Sequence, residues 1–252
     1  MKHLTRQQQE RYDRQIRISG IAESGQIKLL NARVLIIGAG GLGSASAFYL
    51  AAAGCGTIGL ADPDKVSLSN LQRQILYSFP DIGKKKVISA GRKLRALNPD
   101  ILVKTFPERA ETGNIKELIK PFDFIIDATD NFKSKYLTND TCLFLKKPFT
   151  IAGVTGWEGQ IMTYLPGKAC YRCFFPREPA PGIIPDTGQA GILGCAAGLL
   201  GIMQAAEAIK FILNKKDLLT DRILYVNSLT MKFHEASVKT ERDCPVCHSK
   251  RA

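Results

Sequence analysis

Long apolar runs are missing from this 252-residue chain, and none approaches the roughly 20 residues that a bilayer span requires. The opening stretch MKHLTRQQQE lacks the apolar centre of a secretory signal, so a cytoplasmic protein with no membrane partner is expected. Histidine is scarce: His3, His234 and His248 show no catalytic spacing, and His248 reads as a bystander of the cysteines beside it. Repeats and low-complexity linkers are absent as well, so one continuous α/β unit over 1–252 is expected, long enough for a substantial core. Acidic residues are in deficit, 23 against 35 Lys and Arg, for a net charge of +12. That excess predicts attraction to an anion such as an acidic protein, ATP or RNA. It equally describes a solvated basic surface, because Lys84-Lys85-Lys86, Arg92-Lys93, Lys146-Lys147 and Lys215-Lys216 are scattered.

Glycine, by contrast, is concentrated where it carries information. The apolar run Val34 to Ile37 leads into Gly38, Gly40, Gly41 and Gly43, and an Ala-rich helix follows from about Ser44 to Ala53. Without a Cβ, the backbone there can turn sharply, admit a phosphate and seat the helix against the strand. The helix N-terminus then directs free amide groups at whatever anion lies there. A second strand, Thr57 to Ala61, ends on Asp62, at the spacing where a carboxylate meets a ribose hydroxyl. Strand, loop and helix in this order predict a nucleotide site.

The remaining pattern continues the alternation. A polar helix is expected over 4–18, with Arg11, Arg14 and Arg17 near one face. Further helices are expected over Lys86 to Leu97 and Phe132 to Leu145, and strands over Ile101 to Phe106 and Phe122 to Asp127. Such alternation implies a doubly wound, mainly parallel sheet with its ligand beyond the carboxyl ends of the strands, where Asp62 and Asp130 fall. Beyond residue 150, apolar stretches at 149–154, 160–165 and 223–229 read as mixed or antiparallel strands. Phe175 to Ala190, rich in Pro and Gly, reads as a long loop. The helix from about Gly198 to Leu213 is too apolar for a surface and is expected in the core or an interface.

Four of the seven cysteines form two pairs, Cys170/Cys173 and Cys244/Cys247, each at the two-residue spacing that brings two thiolates to one tetrahedral zinc. Four thiolates leave no open coordination position, so the site would be structural, stapling the tail to the domain. Disulfides are the competing reading, which a cytoplasmic location disfavours. Cys55, Cys142 and Cys195 read as small core residues, with Cys195 the one alternative nucleophile.

Arg11-Tyr12-Asp13-Arg14-Gln15, the loop Gly38 to Gly43, Asp62, Ser69 to Gln74, Lys86, Asp127 to Asn131 and the paired cysteines occur in an order that resembles the MoeB/ThiF family, the bacterial ubiquitin-activating-type enzymes, over essentially the whole chain. The resemblance implies a Rossmann-like α/β fold continued by a mixed or antiparallel region. It would have an N-terminal helical arm at 1–30, a nucleotide-binding half at 31–150 and a carrier-binding half at 151–252 that holds the 175–190 loop and the zinc. It implies adenylation, with ATP and Mg2+, of the C-terminal Gly carboxylate of a small ubiquitin-like sulfur carrier ending in Gly-Gly, releasing pyrophosphate, for molybdopterin or thiamine biosynthesis. Matched residue by residue, Asn70, Arg73 and Lys86 would contact the phosphates, Asp130 would ligate magnesium, Asp62 the ribose, and Gly41 would offer its backbone. Ser69 and Asn131 would complete the nucleotide site. Arg14 would reach the ATP of the other subunit of a homodimer. Singly, Arg73 and Lys86 would be surface charges and Asp130 a helix cap; their joint placement is the signal.

Relatives often carry a cysteine three residues before an Ala-Gly pair. Here Thr187 precedes Ala190-Gly191, and a hydroxyl is a poor substitute for a thiolate. The expectation is an enzyme that stops at the acyl-adenylate, with sulfur brought by a separate donor protein, or else Cys195 in place of the missing thiol. Two other readings remain: the same fold activating a tRNA-borne carboxylate or a peptide C-terminus, and a nicotinamide-dependent oxidoreductase. The last leaves Asn70, Arg73, Lys86 and Asp130 unexplained.

Overall fold

Five parallel strands set the frame of the computed structural model, which describes residues 3–179, 190–241 and 243–247. They are β1 (Arg33–Ile37), β2 (Thr57–Ala61), β3 (Leu102–Phe106), β4 (Phe124–Asp127) and β5 (Phe149–Thr155), continued by antiparallel β6 (Glu158–Tyr164), β7 (Arg222–Asn227) and β8 (Lys232–Ser237). The order is β3-β2-β1-β4-β5-β6-β7-β8. The chain therefore winds outward from β1 in one direction and from β4 in the other, and the carboxyl ends of these neighbours form the switch point where such sheets bind ligands.

The central strands are apolar on both faces because both faces are covered. Val34 and Ile36 of β1 enter one core layer, with helices α4 (Gly41–Ala52), α5 (Lys86–Leu97) and α9 (Gly194–Ile212). Leu35 and Ile37 enter the other, with α6 (Ile115–Ile119), α7 (Phe132–Phe144), α8 (Tyr171–Phe174) and the paired cysteines. Cys55 and Cys142 are fully buried in these layers, and burial pushes the Cys55 thiol up to about 12, so both are packing residues.

Three expectations need correction. The helix foreseen over 4–18 is two, α1 (Arg6–Arg11) and α2 (Asp13–Ile16), followed by a third, α3 (Ala22–Asn31). The break falls at Tyr12, whose ring is buried and whose hydroxyl accepts a hydrogen bond from Asn98 Nδ2 at 2.8 Å. Arg11, Arg14 and Arg17 do not act together: Arg11 approaches Asp100, while Arg14 and Arg17 lie by Asp13. Finally, α9 is, among the described residues, a helix long and apolar enough to cross a membrane, at 19 residues with mean hydropathy 1.4. It lies instead against α4 and the sheet, as the core placement expected for it requires. Gln204 donates to the Asp127 carbonyl, and Glu207 accepts from Thr163 Oγ1 and the Leu219 amide. Gly201 permits the approach, since a Cβ there would stand 2.2 Å from the Leu42 carbonyl of α4.

The connection from β2 to α5 carries much of the candidate site, and it is anchored from below by Asp81. This carboxylate is fully buried and meets Lys93 at 2.6 Å, Arg92 at 2.8 Å and Ser78 Oγ at 2.9 Å. Burial alone would raise its pKa, but the bonds from Lys93 and Ser78 outweigh that and hold it well below the usual carboxylate range. A folded-state pKa below the unfolded one contributes stability above about pH 4 that drains away as the pH falls toward the depressed value. Asp81→Asn is expected to cost about 3 kcal/mol at neutral pH and progressively less below about pH 4. Melting temperatures of both proteins from about pH 7 to pH 2 check this, and a gap that stays constant would refute it.

Candidate active site

At the switch point the chain encloses a cleft of about 720 Å³, within the roughly 300–1,000 Å³ of small-molecule sites. Its floor is the glycine loop. Gly38 has φ +97°, and an added Cβ would lie 2.7 Å from the Ala128 carbonyl, so only glycine lets β1 and β4 close here. Gly43 does a different job: its Cβ would fall 1.9 Å from the Gly38 carbonyl, so its bareness seats α4 on the strand. Gly40 is the N-cap of α4 and offers no side chain to bond the first amides, and no acidic residue occupies the first turn. Those amides have no partner within the helix, and the dipole makes this end attractive to an anion.

The loop is gripped at Ala39. Its amide donates to Asp62 Oδ2 at 2.8 Å and its carbonyl accepts from the Tyr77 hydroxyl at 2.8 Å. Asp62 Oδ1 accepts from the Asp64 amide, so this buried carboxylate braces two loops while retaining a lone pair on each oxygen for a hydroxyl donor.

Cations line the wall opposite. Lys86, at the start of α5, is buried and reaches Asp64 Oδ2 at 3.0 Å. Arg73 donates to the Ser69 carbonyl at 3.0 Å, which turns it along the cleft. Asp130 and Asn131 enter from the end of β4, and Asn131 caps α7 by accepting from the Ser134 amide. That loop is fixed from behind by Lys135, buried, which donates to the Thr129 and Ala152 carbonyls at 2.7 and 2.6 Å and pairs with Asp127 at 3.3 Å.

Gly38, Gly40, Gly41, Asp62, Ser69, Arg73, Lys86, Asp130 and Asn131 thus line one cavity. Gly43 and Asn70 do not, the Asn70 carboxamide being engaged by the Ser67 amide. Arg14 stands outside the cleft of its own chain, with its side chain 91% exposed. Sequence reasoning missed Asp64 and Arg109, which also line it, and gave Gln74, the last residue of the Ser69–Gln74 motif, no role of its own. Asp64 could have been found from its place two residues past Asp62, whereas Arg109 follows β3 in a stretch with no motif.

The paired cysteines converge. Sγ–Sγ separations are 3.8 Å for Cys170–Cys173, 3.7 Å for Cys170–Cys244 and 3.4 Å for Cys173–Cys247. All four sulfurs lie within 4.8 Å of one another, and all seven cysteines are free. A disulfide bond would be about 2.05 Å, whereas a tetrahedron with Zn–S of about 2.3 Å has edges near 3.8 Å. The donor set therefore fits a closed four-thiolate metal centre. Burial, then the neighbouring Cys173 and Cys244, push the Cys170 thiol up to about 12, so a cation is what would favour its thiolate. Cys195, expected with Cys55 and Cys142 as a small core residue, is instead exposed near the start of α9, where the first turn of that helix leaves its side chain uncovered. Thr187, His248 and most of the 175–190 loop lie outside the described residues.

Residues 12–246 match the model of the ThiF family. The chain is 40% identical over 240 residues to the SAMP-activating enzyme E1 of Haloferax volcanii, covering 95% of this chain and 89% of that one. It is 37% identical over 249 residues to the sulfur carrier protein adenylyltransferase of Thermus thermophilus, covering 96% and 92%. Against the adenylyltransferase and sulfurtransferase MOCS3 of Anopheles gambiae it is 41% identical over 94% of its own length but only 54% of the mosquito protein. Among solved structures, E. coli MccB with ATP superposes with a TM-score of 0.83 at 26% identity, over 95% of this chain and 75% of that one.

Proposed function

This chain belongs to the ThiF family and is an adenylyltransferase, and we propose that it adenylates the C-terminal glycine carboxylate of a small ubiquitin-like sulfur carrier ending in Gly-Gly. The observation that carries this reading is the convergence of an uncapped helix N-terminus, Arg73, Lys86 and Asp130 on one cleft. A carboxylate oxygen attacks the α-phosphorus of ATP; the new C–O–P linkage forms as the bond to the bridging oxygen breaks, and pyrophosphate leaves. Two anions must meet, so Lys86 and Arg73 neutralise charge before and during transfer. Asp62, braced on the Ala39 and Asp64 amides, accepts from the ribose. Asp130, whose carboxylate among the described residues accepts only a long hydrogen bond of 3.4 Å from Asn131, would hold Mg2+, which when bound supplies further charge neutralisation. The four cysteines would hold Zn2+ in a structural role.

The nucleotide takes the 31–150 half, and the carrier tail enters from the 151–252 half, whose Val154, Gly191 and Ile192 line the cleft. The exposed Arg14 acts on the nucleotide of a second copy in a homodimer. Sulfur arrives from a separate donor protein attacking the acyl-adenylate, in molybdopterin, thiamine or related biosynthesis. Cys195→Ala is the check on that last step: it should leave thiocarboxylate formation unchanged.

The deciding experiment is exchange of labelled pyrophosphate into ATP with magnesium, comparing Gly-Gly-ending carriers, the same carriers lacking the terminal glycine, and a tRNA pool. Exchange is expected only with intact carriers. Exchange that depends on tRNA instead would overturn the reading.

A further inference from the structure

Lys135 does not line the cleft, yet its ammonium spends all three of its donors just behind it. It donates to the Thr129 and Ala152 carbonyls at 2.7 and 2.6 Å and meets Asp127 Oδ1 at 3.3 Å. Those acceptors belong to two strands at the point where they part. The parallel ladder of β4 and β5 ends at the rung Asp127–Ile151. Beyond it β4 turns into the loop that carries Asp130, while β5 runs on to Val154, which also lines the cleft. Lys135 bridges the two backbones where the ladder has stopped. The loop is set from its other neighbours as well: the Ala128 amide donates to the Ile37 carbonyl of β1 at 2.8 Å, and Gln204 of α9 donates to the Asp127 carbonyl at 2.7 Å.

Stability alone does not explain this cluster. Asp127 is fully buried, and its Oδ2 has no hydrogen-bond partner among the described residues. A buried ion pair left one bond short returns little of its desolvation cost, and apolar residues of the same volume often serve a fold as well or better. What an apolar pair could not do is tie two diverging backbones at a fixed distance. We infer that Lys135 is a positioning residue for adenylyl transfer, holding the Asp130 loop at a set spacing from β5. The inference rests on the adenylation reading and adds to it the part that keeps the Asp130 carboxylate in register with the strand beside the carrier tail. Misplacing a reacting group by about 1 Å costs up to about 100-fold in rate, so the bridge matters to the chemistry although it touches no substrate.

Lys135→Met alone would strand a buried carboxylate, so it is paired with Asp127→Asn, which keeps both side chains close to their original size and removes both charges. Carrier-dependent pyrophosphate exchange is measured with a Gly-Gly-ending carrier well below the melting temperature of every variant, together with hydrogen exchange of the ligand-free proteins. In the paired variant kcat is expected to fall about 10- to 100-fold while KM for ATP and for the carrier moves less than about threefold. The amides of Ala128 to Asn131 should exchange faster than in the parent, with the rest of the chain unchanged. Added to Asp130→Ala, the same pair should cost less than about threefold more, because the group it positions is already gone. A kcat within about threefold of the parent overturns the inference and leaves the adenylation reading standing. So does a full multiplicative loss on top of Asp130→Ala, which would mean that Lys135 does not act through that residue. A parent that shows no exchange with any such carrier removes the adenylation reading and the inference with it, whatever the amide rates.

Discussion

Lys86→Ala is expected to lower carrier-dependent pyrophosphate exchange by about 10²–10³-fold, the usual effect of removing one preorganised donor to developing charge. The lysine is almost fully buried at the head of α5, so its ammonium comes to the cleft with little water to shed and, among the described residues, with Asp64 as its one anionic partner. Replacement by arginine should not rescue it, because a fork of donors does not fit where a single compact ammonium is enclosed. The loss should appear chiefly in kcat, since charge on the phosphates grows toward the transition state. Asp130→Ala should match it in size while shifting the magnesium requirement upward. Stability should hardly move in either case: Asp64 is more than half exposed and its pair with Lys86 is worth little to the fold. A fall of less than about tenfold in both variants, with wild-type melting behaviour, would remove these side chains from the chemistry.

The second large effect concerns the cysteine tetrad. Cys173→Ser, or exhaustive chelation of the parent, is expected to lower the melting temperature by on the order of 10 °C, because metal binding that requires the folded arrangement is itself folding free energy. The tetrad joins α8 to the C-terminal segment, whose Cys244 and Val246 pack into the same core layer, with Cys170 fully buried. Metal content by atomic emission should be near one zinc per chain and fall with the variant. Exchange activity at low temperature should survive, since no tetrad residue lines the cleft. A chelated protein that melts within about 2 °C of the parent would make the site dispensable to the fold.

Much of this was legible because local chemistry and global architecture agree. The glycine loop, the apolar strands β1 and β4 and the amphipathic α5 each announce themselves by spacing alone, and Asp62 and Asp130 fall at strand ends as the topology demands. The apolar composition of α9 placed it in the core, although its start at Gly194 precedes the expected Gly198. What escaped has physical reasons. Strand β8 is exposed on nearly every residue, so it carries no period-two signal. Tyr12 splits an apparently uniform polar helix because its partner, Asn98, is 86 residues away. Asp64 and Arg109 became site residues only when β2, β3 and the following connection were laid side by side. The same distance hid Lys135, whose carbonyl partners come from β5 and the end of β4.

The grip on Ala39 has a kinetic consequence. Because Ala39 is held at both its N–H and its C=O, and so through two successive peptide groups, by side chains of the connection that follows β2, the floor of the cleft exists before any nucleotide arrives. Association then needs no loop to fold over the phosphates, and capture should run at a rate set by diffusion and by the protein's positive charge, slowing as salt is added. The same rigidity makes the floor unforgiving. A nucleotide carrying extra bulk where the glycine loop passes beneath it meets a surface that cannot retreat without breaking two bonds at once, so discrimination among nucleotides is built into the resting shape of the protein and not into a closing motion.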